Sequence, residues 1–117
     1  MTVALTIFKD AEDYKTYAPG ARIFEEGQEG DFMYVVIEGE VEITHKGQVI
    51  NRIGEGEIFG EMALVDNSPR SADARASQES KIVAVDQFNF THYIQHSPFF
   101  AIYVMSVMAE RLRKRIG

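Results

Sequence analysis

The 117-residue sequence contains no cysteine, which removes disulfides, thiol nucleophiles and zinc–thiolate sites from consideration. That absence fits a reducing compartment. Positive charge is also in short supply. Twelve Lys and Arg stand against eighteen Asp and Glu, a net charge of -6 that opposes non-specific binding to nucleic acid. Long apolar runs are missing too: the longest, FFAIYVMSVMA at 99–109, falls short of the roughly 17–25 residues that span a bilayer. The amino terminus, MTVALTIFKDAEDYK, lacks a basic start followed by an apolar run, so no secretory signal is visible. Together these absences describe a soluble, cytoplasmic chain with neither nucleic acid nor a membrane as partner.

What is present is a globular balance, 45% hydrophobic and 26% charged, in a length suited to one domain over 1–117. Eight of the nine glycines fall between Gly20 and Gly60, punctuating a region of short strands and tight turns. VEIT alternates, with Val41 and Ile43 on one side and Glu42 and Thr44 on the other. FMYVVI at 32–37 is a denser run, as in a strand covered on both faces. HKGQ supplies the turn of a hairpin between VEIT and VINRI, and SKIVAVD reads as a later strand. The pattern predicts a mainly β domain, a double-stranded β-helix or jelly-roll barrel over 18–86, followed by C-terminal helices over 87–117. Residues 1–17 read as a helical or irregular cap.

Two C-terminal helices are expected, QFNFTHYIQ and a second from Phe99 to Arg115, separated at Pro98. In the second, Ala101, Met105, Met108 and Leu112 form an apolar stripe, and further apolar residues lie outside it. A helix this apolar covers the barrel and has a face left for something else, such as a second copy of the chain. The basic run RLRKR at 111–115 reads as a solvated helix end that complements the macrodipole, with a handle for a partner as the alternative.

Candidate chemistry is sparse. His92 and His96 share a helix face, but no third ligand accompanies them at a telling spacing, so no metal is expected. There is no G-x-S-x-G elbow, and Ser68 and Ser71 lack a neighbouring histidine. The chain does not read as an enzyme. The stretch IFGEMALVDNSPRSADARA, 58–76, is different, because it sets Glu61 and Arg70 around one turn-rich loop. Spacing alone favours an ion pair bracing that loop. The other reading is a grip on a nucleotide. Arg70 offers a fork for phosphate oxygens, Gly60 permits close approach, a short helix from Glu61 presents N–H groups, Ser71 adds a hydroxyl, and Glu61 suits a sugar hydroxyl.

FGEMAL…PRSADARA resembles the phosphate-binding cassette of cyclic nucleotide-binding domains, placed here at 59–72. APGARIFEEGQEGDFMYVVIEGEVEI and GEGEIFGEMAL resemble the strands before it, and MAERL resembles the start of the terminal helix in catabolite-activator-like and kinase regulatory-subunit-like proteins. The resemblance tips the balance towards the grip. It implies that Glu61 accepts the ribose 2′-hydroxyl, Arg70 pairs with the cyclic phosphate and Ser71 donates to it. Gly60, Met62, Ala63 and Ala72 would shape the loop or present N–H groups, Ile43 would wall the base, and Arg111 would lie near the pocket. The expected ligand is cAMP or cGMP, with a lean to cAMP, and no other cofactor. Binding would move the terminal helices and so signal to a downstream effector protein. Relatives of these kinds carry DNA-binding or other effector domains, whereas this sequence stops at Gly117, as a standalone sensor or a piece of a longer protein. The competing expectation is a structural or protein-interaction domain of the same fold that uses no nucleotide.

Overall fold

The run FMYVVIE forms the strand on which the molecule is organised. A computed structural model describes residues 3–116, and the side chains of 4–114. After a short helix α1 (Val3–Phe8) come β1 (Lys15–Tyr17), β2 (Arg22–Phe24), β3 (Phe32–Glu38), β4 (Val41–His45), β5 (Gln48–Ile53) and β6 (Ile58–Phe59). Helix α2 (Glu61–Asp66) leads into β7 (Asp73–Ala76), β8 (Ser80–Asp86), α3 (Gln87–His96) and α4 (Pro98–Ile116). The strands make two four-stranded antiparallel sheets, ordered β1-β8-β3-β6 and β2-β7-β4-β5.

Alternation along β3 assigns its residues to two cores. Met33, Val35 and Ile37 join Phe8, Val83, Val85, Phe90, Phe100 and Val104 in a core under the helices. Val36 points the other way, into a core between the sheets with Phe24, Val41, Ile53, Phe59, Ala74 and Ile82. Strand β3 is thus covered on both faces, as its unbroken apolar run requires. Each of these larger side chains contributes about 1.5–3 kcal/mol on leaving water. In β4, Val41 and Ile43 face the inter-sheet core, while Glu42 turns outward to Arg52 at 3.3 Å and Arg75 at 4.0 Å. The β4–β5 hairpin turns at Lys46–Gly47 with φ of 53° and 80°, the left-handed pair that matches strand twist in a two-residue turn.

The C-terminal helices follow local chemistry. Asp86 caps α3 by accepting from the Asn89 N–H at 2.8 Å. Ser97 then accepts from the Phe100 N–H at 3.3 Å, with Pro98 at the first position of α4, where its missing N–H costs nothing. Two expectations need correction. Residues 15–17 are strand β1 rather than part of a cap, pairing Lys15 with Ile82 along the edge of β8; three largely exposed residues offer no hydrophobic period to read. The α4 face on the core is Phe100, Val104, Val107 and Met108, not the stripe through Met105 and Leu112. Those two, with Phe99 and Ile102, are exposed, so α4 carries a second apolar face.

Candidate functional site

Arg70 and Glu61 are both taken out of water, Arg70 at 6% exposure and Glu61 at 0%. The loop carrying Arg70 is pinned by two backbone bonds of 2.8 Å, from Gly27 N–H to the Arg70 carbonyl and from Arg70 N–H to the Gln28 carbonyl. Its guanidinium donates to the Gly60 carbonyl at 2.8 Å and the Phe32 carbonyl at 2.5 Å. The same group lies over Phe24, 4.2 Å from the ring centroid, with Tyr34 at 5.7 Å. Burial pulls the Arg70 pKa below its ordinary value, and Tyr34, Asp31 and Glu61 push against that. The guanidinium remains charged.

Two glycines allow this packing. A Cβ on Gly30 would collide with the Ala63 side chain and stand 3.1 Å from the Arg70 guanidinium carbon. Gly60 has φ of 77°, and a Cβ there would lie 2.7 Å from Arg70 Nη1. Gly60 also opens α2, placing the Glu61 side chain at the start of a six-residue helix. So short a helix supplies little dipole, so the formal positive charge at this end comes from arginine.

Glu61 does not pair with Arg70. Its Oε1 accepts from Nη1 of Arg111, which reaches over from α4 and also donates to the Ile58 carbonyl at 2.6 Å. The loop-bracing ion pair that spacing suggested is therefore not formed; folding hands Glu61 a partner fifty residues away. Two buried polar atoms have no partner among the described residues, Glu61 Oε2 and Arg70 Nε. Leaving such atoms dry and unpaired costs on the order of 1–3 kcal/mol each, unless something else supplies the bond.

These side chains wall one cavity of about 680 Å³ between the cassette, sheet β2-β7-β4-β5 and α4. All nine residues singled out from the sequence line it: Ile43, Gly60, Glu61, Met62, Ala63, Arg70, Ser71, Ala72 and Arg111. Phe24, Phe59, Ile50, Asn51 and Lys114 line it as well and were missed. Asn51 was readable in principle, since it sits directly across the hairpin from Ile43. The basic run also needs revision, because Arg111 turns inward to Glu61 while Arg113 and Lys114 stay exposed; Arg115 lies outside the described side chains. Elsewhere, the His92 and His96 rings stand 4.4 Å apart on α3, and no cluster of three His, Asp or Glu that could hold a metal occurs among the described residues.

Family comparison settles what such a cassette belongs to. The model of the cyclic nucleotide-binding domain matches residues 14–97. This chain belongs to that family. It is 33% identical over 105 residues to the cyclic AMP receptor protein of Thermus thermophilus, covering 86% of this chain and 49% of that protein. It is 36% identical over 87 residues to a cAMP-dependent protein kinase regulatory subunit of Debaryomyces hansenii, covering 73% of this chain and 19% of the subunit. The chain thus spans half or less of these relatives. The Thermus thermophilus catabolite activator protein superposes with a TM-score of 0.80 at 32% identity, over 96% of this chain and 53% of the other. A structure from a cyclic-GMP-dependent signalling pathway in bacterial phytopathogenesis gives 0.81 at 26% identity, over 97% and 95%. The two sheets described above are the family's jelly-roll barrel, and the chain is a regulatory domain of the cyclic nucleotide-binding kind. No helix among the described residues is long and apolar enough to cross a membrane.

Proposed function

We propose that this domain is a sensor whose cavity binds a purine 3′,5′-cyclic mononucleotide. The observation that carries the reading is the pair of buried, opposite charges facing one cavity, each with a polar atom that has no partner among the described residues. A cyclic phosphodiester has one negative charge, which Arg70 can neutralise through a charge-assisted bond contributing about 1.5–3 kcal/mol. Glu61 Oε2 is an acceptor with no donor among the described residues, the group a ribose 2′-hydroxyl would satisfy. Ser71 adds a hydroxyl beside the phosphate, Gly60, Met62, Ala63 and Ala72 form the bed of the cassette, and Ile43 presents an apolar wall to the base. No bond-breaking group is part of this reading; the site binds and does not turn over.

Signalling would run through Arg111. Ligand drawing Arg70 from its backbone carbonyls and engaging Glu61 changes what the Arg111 contact is worth, and so biases the position of α4. The exposed apolar face of α4 is proposed as the contact for a second copy of the chain or for a downstream effector. Ile102, Met105, Ala109 and Leu112 are spaced 3, 4 and 3, the period of a coiled-coil seam. The proposed place of action is the cytoplasm, where cyclic nucleotides signal.

A second reading has its own observation. Arg70 already has two carbonyl partners and an aromatic platform, so it also suits a purely structural role in a domain that docks proteins without a nucleotide. Calorimetric titration with cAMP and cGMP separates the two. Micromolar binding that is lost in Arg70→Ala supports the sensor, and no binding by the unmodified domain overturns it in favour of the second reading.

A further inference from the structure

The last turn of α3 carries side chains that the cyclic-nucleotide reading leaves unused. His92 and His96 lie four residues apart, on one side of the helix. Both are exposed, neither lines the cavity, and their ring centroids stand 4.4 Å apart. We propose that the two imidazoles form an open chelate for a late first-row divalent cation, copper(II) or nickel(II).

Both rings are free to give a nitrogen. Neither is engaged in an ion pair or side-chain hydrogen bond among the described residues, whereas the third histidine, His45, lies 3.7 Å from Glu26 Oε1. His92 is also restrained: it meets Tyr93 in a T-shaped contact at 5.7 Å, and Tyr93 is itself packed against Phe8 and Phe100. A ligand held in place before the metal arrives loses less freedom on binding. The backbone dipoles of this ten-residue helix add partial negative charge beside His96, its last residue, which attracts a cation.

The spacing of the rings selects the class of ion. Imidazole nitrogen binds such metals at about 2.0–2.1 Å, and the ring centre lies roughly 1.2 Å behind it. Each centroid then stands about 3.2 Å from the ion, and two centroids 4.4 Å apart subtend close to a right angle there. That is the cis angle of tetragonal or octahedral coordination, which suits copper(II) and nickel(II). Tetrahedral zinc would need the centroids roughly 5.2 Å apart. No carboxylate or third histidine completes a closed site among the described residues, so water takes the other positions. The missing third ligand thus argues against a structural zinc and not against this open chelate. The tie spans the turn just before Pro98, so a bound ion braces the point from which α4 departs.

The test is calorimetric titration of the untagged, metal-free domain with the chlorides of copper(II), nickel(II), zinc and magnesium. His92→Ala, His96→Ala and His45→Ala are titrated beside it, with thermal melts to establish that each variant is folded. We expect one copper or nickel ion per chain, copper tighter than nickel, nickel tighter than zinc, and no magnesium, which prefers oxygen ligands. Losing either His92 or His96 should weaken copper binding by about tenfold or more, and losing His45 should not. Electron paramagnetic resonance of the copper form should show coupling to two imidazole nitrogens. Absence of copper binding overturns the inference, as does binding that survives in either His92→Ala or His96→Ala at full strength. So does zinc binding more tightly than nickel, which would mean that the rings do not hold the cis geometry. The site and the cavity share no residue, so each outcome stands whether or not the domain binds a nucleotide.

Discussion

Arg111, near the end of α4, closes on Glu61 at the start of α2, joining the last helix to the cassette across fifty residues of sequence. The Glu61 side chain is 1% exposed and that of Arg111 21%, so the pair is mostly shielded from solvent screening. Removing the arginine would leave a buried carboxylate without its hydrogen-bonded counter-charge. Arg111→Met should therefore destabilise the domain by about 3 kcal/mol. A chemical-denaturation curve measures this. Glu61→Gln combined with Arg111→Met should cost less than the two single changes added together, because the buried charge disappears with its partner.

Gly30 offers a test of how tightly the cassette is packed. Gly30→Ala drives a methyl into Ala63 and the Arg70 guanidinium, and should cost about 2 kcal/mol in overpacking. Gly54→Ala is the control. Its added Cβ would meet only the flexible Glu57 carboxylate, at 3.3 Å, so stability should stay within about 0.5 kcal/mol. Equal effects at the two sites would mean that the contact between Gly30 and α2 is not tight in solution.

The outer face of α4 makes a separate prediction. Ile102 and Met105 are each 60% exposed and Leu112 is 47% exposed, which is costly for a helix with nothing against it. If the seam joins two copies, sedimentation velocity should show a dimer for the unmodified domain and a monomer for Ile102→Glu. The variant should keep its nucleotide affinity, since Ile102 does not line the cavity. A monomer before any substitution would remove self-association from the proposal.

Alkaline pH should loosen the structure through its partly buried tyrosines. Burial raises the pKa of Tyr17, Tyr34 and Tyr103 above 10.0, because the fold favours the neutral phenol. Their contribution to stability is fully present below pH 10 and is lost as pH climbs through the raised values. Thermal midpoints followed into that range should fall, and less steeply for Tyr34→Phe.

Much of this architecture was legible locally. The dense run of β3, the Lys46–Gly47 turn and the break at Pro98 are short-range signals, and each appears where the pattern put it. Strands β1 and β6 were not legible, having three and two residues, too few for any period to show. Met105 and Leu112 misled, because helical spacing marks an apolar face without saying what covers it.

The nine residues picked from the sequence do meet at one cavity: the seven from Gly60 to Ala72 lie together in the cassette, and Ile43 and Arg111 are brought to them by β4 and α4. Which charges pair there was a tertiary matter. Spacing put Glu61 with Arg70, but the barrel turns Arg70 onto Phe24 and two carbonyls and brings Arg111 to Glu61. Asn51 joins the site only through hairpin register. The sequence by itself determined the fold class and the two charged residues of the cassette, through local patterns and a compact motif. The partner of each buried charge, and the side chains that complete the cavity wall, were decided by strands and helices far apart in the chain, because burial and charge pairing depend on distances that only packing sets.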